Sequence, residues 1–288
     1  MRLSIISSAV LALALGGCVI VVPGDGKSYS WSSSSVQGNG SVTTENRSIA
    51  AAAALDIETR RRVDMDVEVR VGPAASLQIE GDSNLLPLVH TESNNGKLRI
   101  WVDDELRTSQ PLRVRYTTPQ LNRLDASGSL RTHVSGLNGG NLAVSQNGSG
   151  RVELRGRVDQ LDVINSGSGS TLADTLEAGG TRVAVHGSGR VSLGNVRGEQ
   201  LMAKVHGSGN LSAAGTVRTL DVAVYGSGDA RLSGLRSEIA DLSTNGSGDI
   251  TVAVSQSVHT NTNGSGSITV YGNPPQRNVS GKRTTFVQ

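Results

Sequence analysis

The stretch VAVHGSGRVSLGN, Val183 to Asn195, places a Gly-Ser-Gly between two alternating apolar runs, Val183 and Val185 before it and Val191 and Leu193 after it. Near copies stand on both sides: LAVSQNGSGRVEL, MAKVHGSGNLSAA, DVAVYGSGDARLS and LSTNGSGDITV. With the central serine as marker, the copies fall at Ser127, Ser149, Ser168, Ser188, Ser208, Ser227, Ser247 and Ser265, at intervals of 22, 19, 20, 20, 19, 20 and 18 residues. Strand alternation within a period near twenty predicts an all-β fold, a parallel β-helix or β-solenoid with one coil per repeat. Leu142 and Val144, Leu161 and Val163, and Leu220 and Val222 precede their markers at fixed distances, while Val152 and Leu154, Ile250 and Val252, and Ile268 and Val270 follow theirs. These are the expected inward columns. Eight coils stacked at roughly 4.8 Å would make a rod about 35 to 40 Å long.

A Gly-Ser-Gly could also grip phosphate or raise a nucleophile. A phosphate loop requires a helix after its glycines, and here a strand pattern follows every copy. A nucleophile elbow needs G-x-S-x-G at one privileged place, whereas this motif recurs along the chain. The corner of a stacked coil explains the repetition, because each coil must turn sharply without side-chain bulk. The expected corner positions are Gly148, Ser149 and Gly150, then Gly167 and Gly169, Gly187 and Gly189, Gly207 and Gly209, Gly226 and Gly228, Gly246 and Gly248, and Gly264 and Gly266. The serine between the glycines is expected to bond a neighbouring corner.

Ahead of the repeats, VDMDVEVRV, Val63 to Val71, alternates strictly, and SLQIEGD, GKLRIWVDD and PLRVRYTTP follow the same design between turns. These strands form a smaller N-terminal segment, residues 49–120, leading into the repeats at 121–272. IAAAAALD alone has helix-like composition and is too short to rely on. Residues 273–288, with Pro274, Pro275, Arg277, Lys282 and Arg283, are expected to cap the open end and block growth of the rod.

The first eighteen residues, MRLSIISSAVLALALGGC, read as an export signal with one positive residue and an apolar run too short to span a bilayer. LGGC, Leu15 to Cys18, resembles the lipobox of bacterial lipoproteins. That resemblance implies cleavage after residue 17, acylation of Cys18, which is the only cysteine, and a membrane as partner. Several acyl chains anchor stably where one does not. With Val19 and Ile20 after the cysteine and no acid, the resemblance favours the outer membrane. Residues 18–48, rich in Ser and Gly, are expected to act as a lipidated flexible tether.

The chain carries 27 Lys and Arg against 25 Asp and Glu, a net of +2, so no electrostatic case for nucleic acid exists. Arg60 to Arg62 lack the interleaved aromatics that a nucleic-acid surface would show.

The ordered series RVDMDVEVRVG, SLQIEGDSNLLPLVHTESNNGKLRIWV and PLRVRYTTPQLNRLDASGSLRTHVSG, followed by the Gly-Ser-Gly coils, resembles the head-GIN family of putative auto-transporter adhesins, a domain of unknown function. The likeness runs from about Ser48 to Tyr271. It implies a β-helical fold in exported or lipid-anchored bacterial proteins, and supplies no catalytic residues. The first coil departs from the motif, with ASGS in place of GSGS.

Two positions before the markers, Asn147, Ser166, His186, His206, Tyr225, Asn245 and Asn263 form an outward column. His186 and His206 lack the third ligand a metal site needs, and a solvated polar ladder accounts for them. Asp229 and Asp249 do not fit the nine-residue calcium repeat. Asp221 and Asp241 are expected on adjacent coils and suggest a carbohydrate-active enzyme, the alternative reading. Sugar platforms are scarce, with Trp101 and Tyr225 the candidates. No catalytic residues, metal or cofactor are assigned. The expected function is a non-enzymatic cell-envelope lipoprotein that binds an unidentified protein or glycan.

Overall fold

The computed structural model describes residues 35–288. The signal segment and Cys18 lie outside the described residues, as does the first half of the expected tether. The chain opens with β1 (Val36–Gln37), β2 (Val42–Arg47), β3 (Ala54–Thr59), β4 (Met65–Val71) and β5 (Ser76–Asp82). A 3-10 turn at Leu86–Leu88 leads to β6 (His90–Asn94), β7 (Lys97–Val102), β8 (Leu106–Arg107) and β9 (Leu112–Thr118). The repeats then supply β10 (Arg123–Gly128), β11 (Arg131–Asn138), β12 (Asn141–Gly148), β13 (Arg151–Gly167), β14 (Ser170–Gly187) and β15 (Arg190–Gly207). The last strands are β16 (Asn210–Gly226), β17 (Asp229–Gly246), β18 (Ile250–Gly264), β19 (Ile268–Tyr271), β20 (Gln276–Ser280) and β21 (Thr284–Val287).

These strands build a parallel β-solenoid of about eight turns with a smaller N-terminal strand segment. From β13 to β18 each strand is long because it bends around the coil. Its first half pairs in one ladder and its second half in another, with register irregularities at the bend between them. Inward residues of successive rungs stack in register, for example Leu142, Leu161 and Thr181, then Leu201 and Leu220. One apolar cluster runs from Ala52 to Val270. Burying each Val or Leu contributes about 1.5–3 kcal/mol, so the core is built by repetition rather than by large anchors. Among the described residues Tyr116 is the one aromatic fully inside, and its hydroxyl donates to the Ala52 carbonyl at 2.7 Å.

At the corners, Gly148, Gly167, Gly187, Gly207, Gly226, Gly246 and Gly264 have φ between +102° and +138°. Each stacks on the preceding corner: the Ser168 amide donates to the Gly148 carbonyl at 3.0 Å, Ser188 to Gly167 at 2.9 Å and Ser208 to Gly187 at 2.8 Å. The backbone amide of serine makes this contact. The first corner corrects the marker assigned to it. Gly128 pairs with Gly148 and Ser127 with Asn147, so Ser129 is the true equivalent of Ser149, and the first interval is 20 residues. The motif there reads Gly-Ser-Leu, with Leu130 in the third position and buried.

The N-terminal strands enter the same two ladders, but out of sequence order. The rung of β3 and β4 lies between the rung of β7 and β9 and that of β10 and β11. The chain lays one rung, places the next beneath it, then crosses back to continue upward. Antiparallel strands close this first end, β6 on β7, β5 on β9 and β2 on β5.

Two boundaries differ from expectation. Residues 42–47 are a strand rather than tether: β2 pairs along β5 from Val42↔Asp82 to Arg47↔Leu77. Its side chains are mostly exposed, so backbone pairing holds it where apolar burial does not. Arg47 adds hydrogen bonds to the carbonyls of Leu86, at 2.9 Å, and Val89. The tail at 273–288, expected as a cap, carries strands of its own. After Pro274 and Pro275, β20 pairs with β18 and β21 with β19, which makes the tail the last rung.

Candidate functional site

β12 and the second halves of β13 to β18 form one parallel sheet whose outer face carries three columns. The column nearest the corner is Asn147, Ser166, His186, His206, Tyr225, Asn245 and Asn263, each in register with the next. Parallel in-register pairing holds identical positions about 4.8 Å apart, close to the spacing at which flat rings stack. His186 and His206 accordingly lie 5.2 Å apart between ring centres, inclined by 16°, and His206 and Tyr225 lie 4.8 Å apart at 11°. Tyr225 remains 42% exposed in a chain with only seven Trp, Tyr and Phe residues.

The middle column brings Ile164, Ala184, Lys204 and Ala223 together, with Ile164 48% exposed. The outermost column runs Asp162, Arg182, Met202, Asp221, Asp241 and His259. Arg182 pairs with Asp162 at 3.4 Å. Asp221 and Asp241 face each other across one rung step. Partial burial raises the Asp221 carboxyl above its usual range, the Asp241 charge adds to this, and Lys204 opposes it. The result is a mixed, flat surface with exposed rings at one edge and carboxylates at the other.

This arrangement suits binding better than turnover. A shallow groove of about 360 Å³ over the other bend is lined by Val217, Arg236, Glu238, Val254 and Tyr271, among others, and includes neither aspartate. Among the described residues no group of three His, Cys, Asp or Glu side chains converges as a metal site. Asp229 and Asp249 instead secure turns: Asp229 accepts the Asp249 amide at 3.2 Å, and Asp249 accepts the amide and hydroxyl of Ser267, both at 2.8 Å. Trp101 is engaged by His90, at 5.2 Å between ring centres, and by the Arg99 guanidinium at 4.8 Å, so it offers no free platform beside Tyr225. Arg60 pairs with Glu58 and Asp103 at the rim of the first rungs. Its hydrogen bond, followed by that of Arg99, lowers the Glu58 carboxyl.

A family model described as "Putative auto-transporter adhesin, head GIN domain" matches residues 57–174 and 170–274. The chain belongs to the head-GIN domain family. Solved structures share the fold. A putative adhesin from Parabacteroides merdae matches with a TM-score of 0.66 at 19% identity, over 88% of this chain and 99% of that one. Another putative adhesin, from Parabacteroides distasonis, matches with 0.64 at 21% identity, over 88% and 99%. A protein from the same organism described as a putative lipid binding protein matches with 0.63 at 22% identity, over 88% and 100%. No curated protein matches the chain.

One interior feature of this head-GIN domain escaped the sequence reading. Beneath three corners an inward polar side chain bonds the carbonyl of the third corner residue: Gln146 to Gly150 at 3.0 Å, Asn165 to Gly169 at 3.2 Å and Thr244 to Gly248 at 2.8 Å. Elsewhere the position is Ala126, Val185, Val205, Val224 or Thr262. The signal was present in QNGSG, NSGSG and the TNGSG that begins at Thr244, where a polar residue breaks the inward apolar column.

Proposed function

We propose that this protein is a non-enzymatic lipoprotein of the bacterial cell envelope, anchored through acylated Cys18, that binds a protein or glycan through the outer face bearing His186, His206 and Tyr225. The observation that carries the reading is the stacked ring column. It is a flat row of partly exposed rings and ring-borne polar groups on one sheet face. Rings of this kind supply contact area with little side-chain entropy to lose. The adhesin description of the family supports a binding role and an envelope location.

Purified residues 35–288 on a glycan array and on immobilised surface proteins test the face. Binding that H186A/H206A/Y225A removes, with an unchanged melting temperature, supports it, while binding indifferent to the triple substitution rejects it. Cell fractionation tests the anchor. Cys18→Ser should move the protein from the membrane pellet to the soluble fraction, and retention after a salt wash would refute lipid anchoring.

A further inference from the structure

The end of the ladder is basic and free of acidic side chains. From Ile250 to Gln288 the sequence contains no Asp or Glu, while Arg277, Lys282 and Arg283 all fall within the final twelve residues. None of these three cations makes an ion pair among the described residues, and no acidic side chain lies within their strands to make one. Arg277 occupies an inward column, opposite the buried Val258, and lies over the Phe286 ring with 4.2 Å from its guanidinium carbon to the ring centre. Lys282 and Arg283 sit in the connection between β20 and β21. The nearest carboxylate in sequence, Asp249, is already held by Ser267.

The end of the ladder also gathers apolar surface. Tyr271, Val279 and Val287 are three of the seven large apolar residues left exposed among the described residues, at 42%, 44% and 37%. Tyr271 and Val287 are register partners on adjacent strands. Val279 lies above Thr260, in a column that is buried one rung below and has no further rung to cover it here. The tip is therefore a blunt end whose final strands carry unpaired cations, exposed aliphatic groups and no acidic side chain, with Tyr271 at its side, where it lines the groove that also holds Glu238.

We infer that this C-terminal tip docks on an anionic lipid surface. Cations near such a surface are each worth about 1 kcal/mol, and shallow aliphatic and tyrosine contacts add the apolar component that interfacial binding needs. A second copy meeting this tip head-on would oppose like charges. An acidic peptide would satisfy the cations and leave the apolar residues uncovered. The chain enters the described fold at the opposite end of the ladder, where β1 pairs with β8 beside the first rungs. The inference uses neither the proposed anchor nor the ring face, and stands whether or not either is correct.

Residues 35–288 contain both ladders and the whole described core, and carry no acyl site, so they can be tested directly. They should cosediment with phosphatidylcholine vesicles containing phosphatidylglycerol, not with phosphatidylcholine alone, and be released by high salt. K282E/R283E should weaken this partitioning by on the order of 25-fold or more, from two cations at about 5-fold each. Val279→Ser should weaken it while keeping the salt dependence. Unchanged melting temperatures of the variants establish that folding is not the cause. Absence of sedimentation with anionic vesicles, or sedimentation unaffected by the charge reversal, overturns the inference. So does binding to soluble polyglutamate without binding to vesicles, which would reassign the tip to an acidic protein segment.

Discussion

A methyl group placed on Gly207 would stand 2.7 Å from the carbonyl oxygen of Gly187, directly beneath it in the ladder. Gly207 also has φ +102°. Two separate physical demands, the left-handed backbone and the contact between stacked corners, therefore fall on one residue. They can be separated by mutation. Gly140 has φ +79° and open space within 4 Å of where a methyl would sit, whereas Gly248 has no such φ but its methyl would meet the Gly228 oxygen at 2.0 Å.

Gly140→Ala should cost only backbone strain, about 1 kcal/mol. Gly207→Ala should cost that strain plus the displacement of a rung, at least about 2–3 kcal/mol, and Gly207→Val more. Thermal unfolding checks the order. Equal melting temperatures for Gly140→Ala and Gly207→Ala would show that rung contact adds nothing to the requirement for glycine.

At the closed end of the ladder, Asp82 ties two loops to β5. Its carboxylate accepts the Ser109 amide at 2.9 Å, the Ser109 hydroxyl at 2.7 Å and the Gly40 amide at 2.8 Å, and the residue is fully buried. The Ser109 amide and hydroxyl, then Gly40, hold the carboxyl below its ordinary range against the opposing effect of burial. Because the folded pKa is the lower one, the stabilisation is complete above the unfolded value of about 3.9 and is lost as pH falls through the folded value. Asp82→Asn should destabilise at pH 7 by about 1.5–3 kcal/mol. Denaturant unfolding at successively lower pH should show that deficit shrinking below pH 4, and a constant deficit would remove the carboxylate charge from the explanation.

Asp221 has the opposite sign. Burial first, and the Asp241 charge second, place its folded pKa above the unfolded one, so its ionised form weakens the fold at neutral pH and this penalty disappears below the unfolded value. Asp221→Asn should raise the melting temperature slightly at pH 7, with the gain fading toward acid. Asp241→Asn removes only the second cause and should give less. A lowered melting temperature for Asp221→Asn would mean that the carboxylate makes a favourable contact instead. Neither substitution should disturb binding at the ring column, which lies at the other edge of the sheet.

The solenoid was legible because its two periods are both written in the sequence: alternation within strands, and a glycine-bearing turn about every twenty residues. The in-register ring column followed from the same arithmetic. The order of the first rungs was not legible, because an alternating strand such as β3 reads the same whether β7 or a later strand lies beneath it. The first corner was misplaced by two residues because Leu130 fills the third motif position, and only the pairing of Gly128 with Gly148 reveals the frame. Strand β2 was missed for a different reason. It buries little side chain, and backbone pairing leaves no mark in a count of apolar residues. The outer face was readable as columns of residue types. The tip was not, since reading Pro274 and Pro275 as the end of the ladder concealed that β20 and β21 continue it.

The same tip sets the last prediction. A terminal rung exposes unpaired backbone edges, and solenoids must keep those edges from recruiting other chains. Here Arg277 projects along an inward column of the final rung, where an incoming rung would have to bury it, and it is held by the Pro274 carbonyl at 2.9 Å and the Phe286 ring. Burying an unpaired guanidinium costs several kcal/mol, more than a few added ladder hydrogen bonds return. Removal of residues 273–288 deletes this charge along with β20 and β21, and lays open Ser257–Asn261 and Ile268–Tyr271, including Val258 and Val270, which are now buried. The shortened protein, begun at residue 35, should self-associate, and Arg277→Leu in the full-length tip should do so more weakly, because β20 and β21 remain exposed but lose their inward charge. Size-exclusion chromatography with light scattering measures both. Monomeric mass for the deletion, at a concentration where the parent protein is monomeric, would mean that β18 and β19 end the ladder safely by themselves and that the final rung is not its guard.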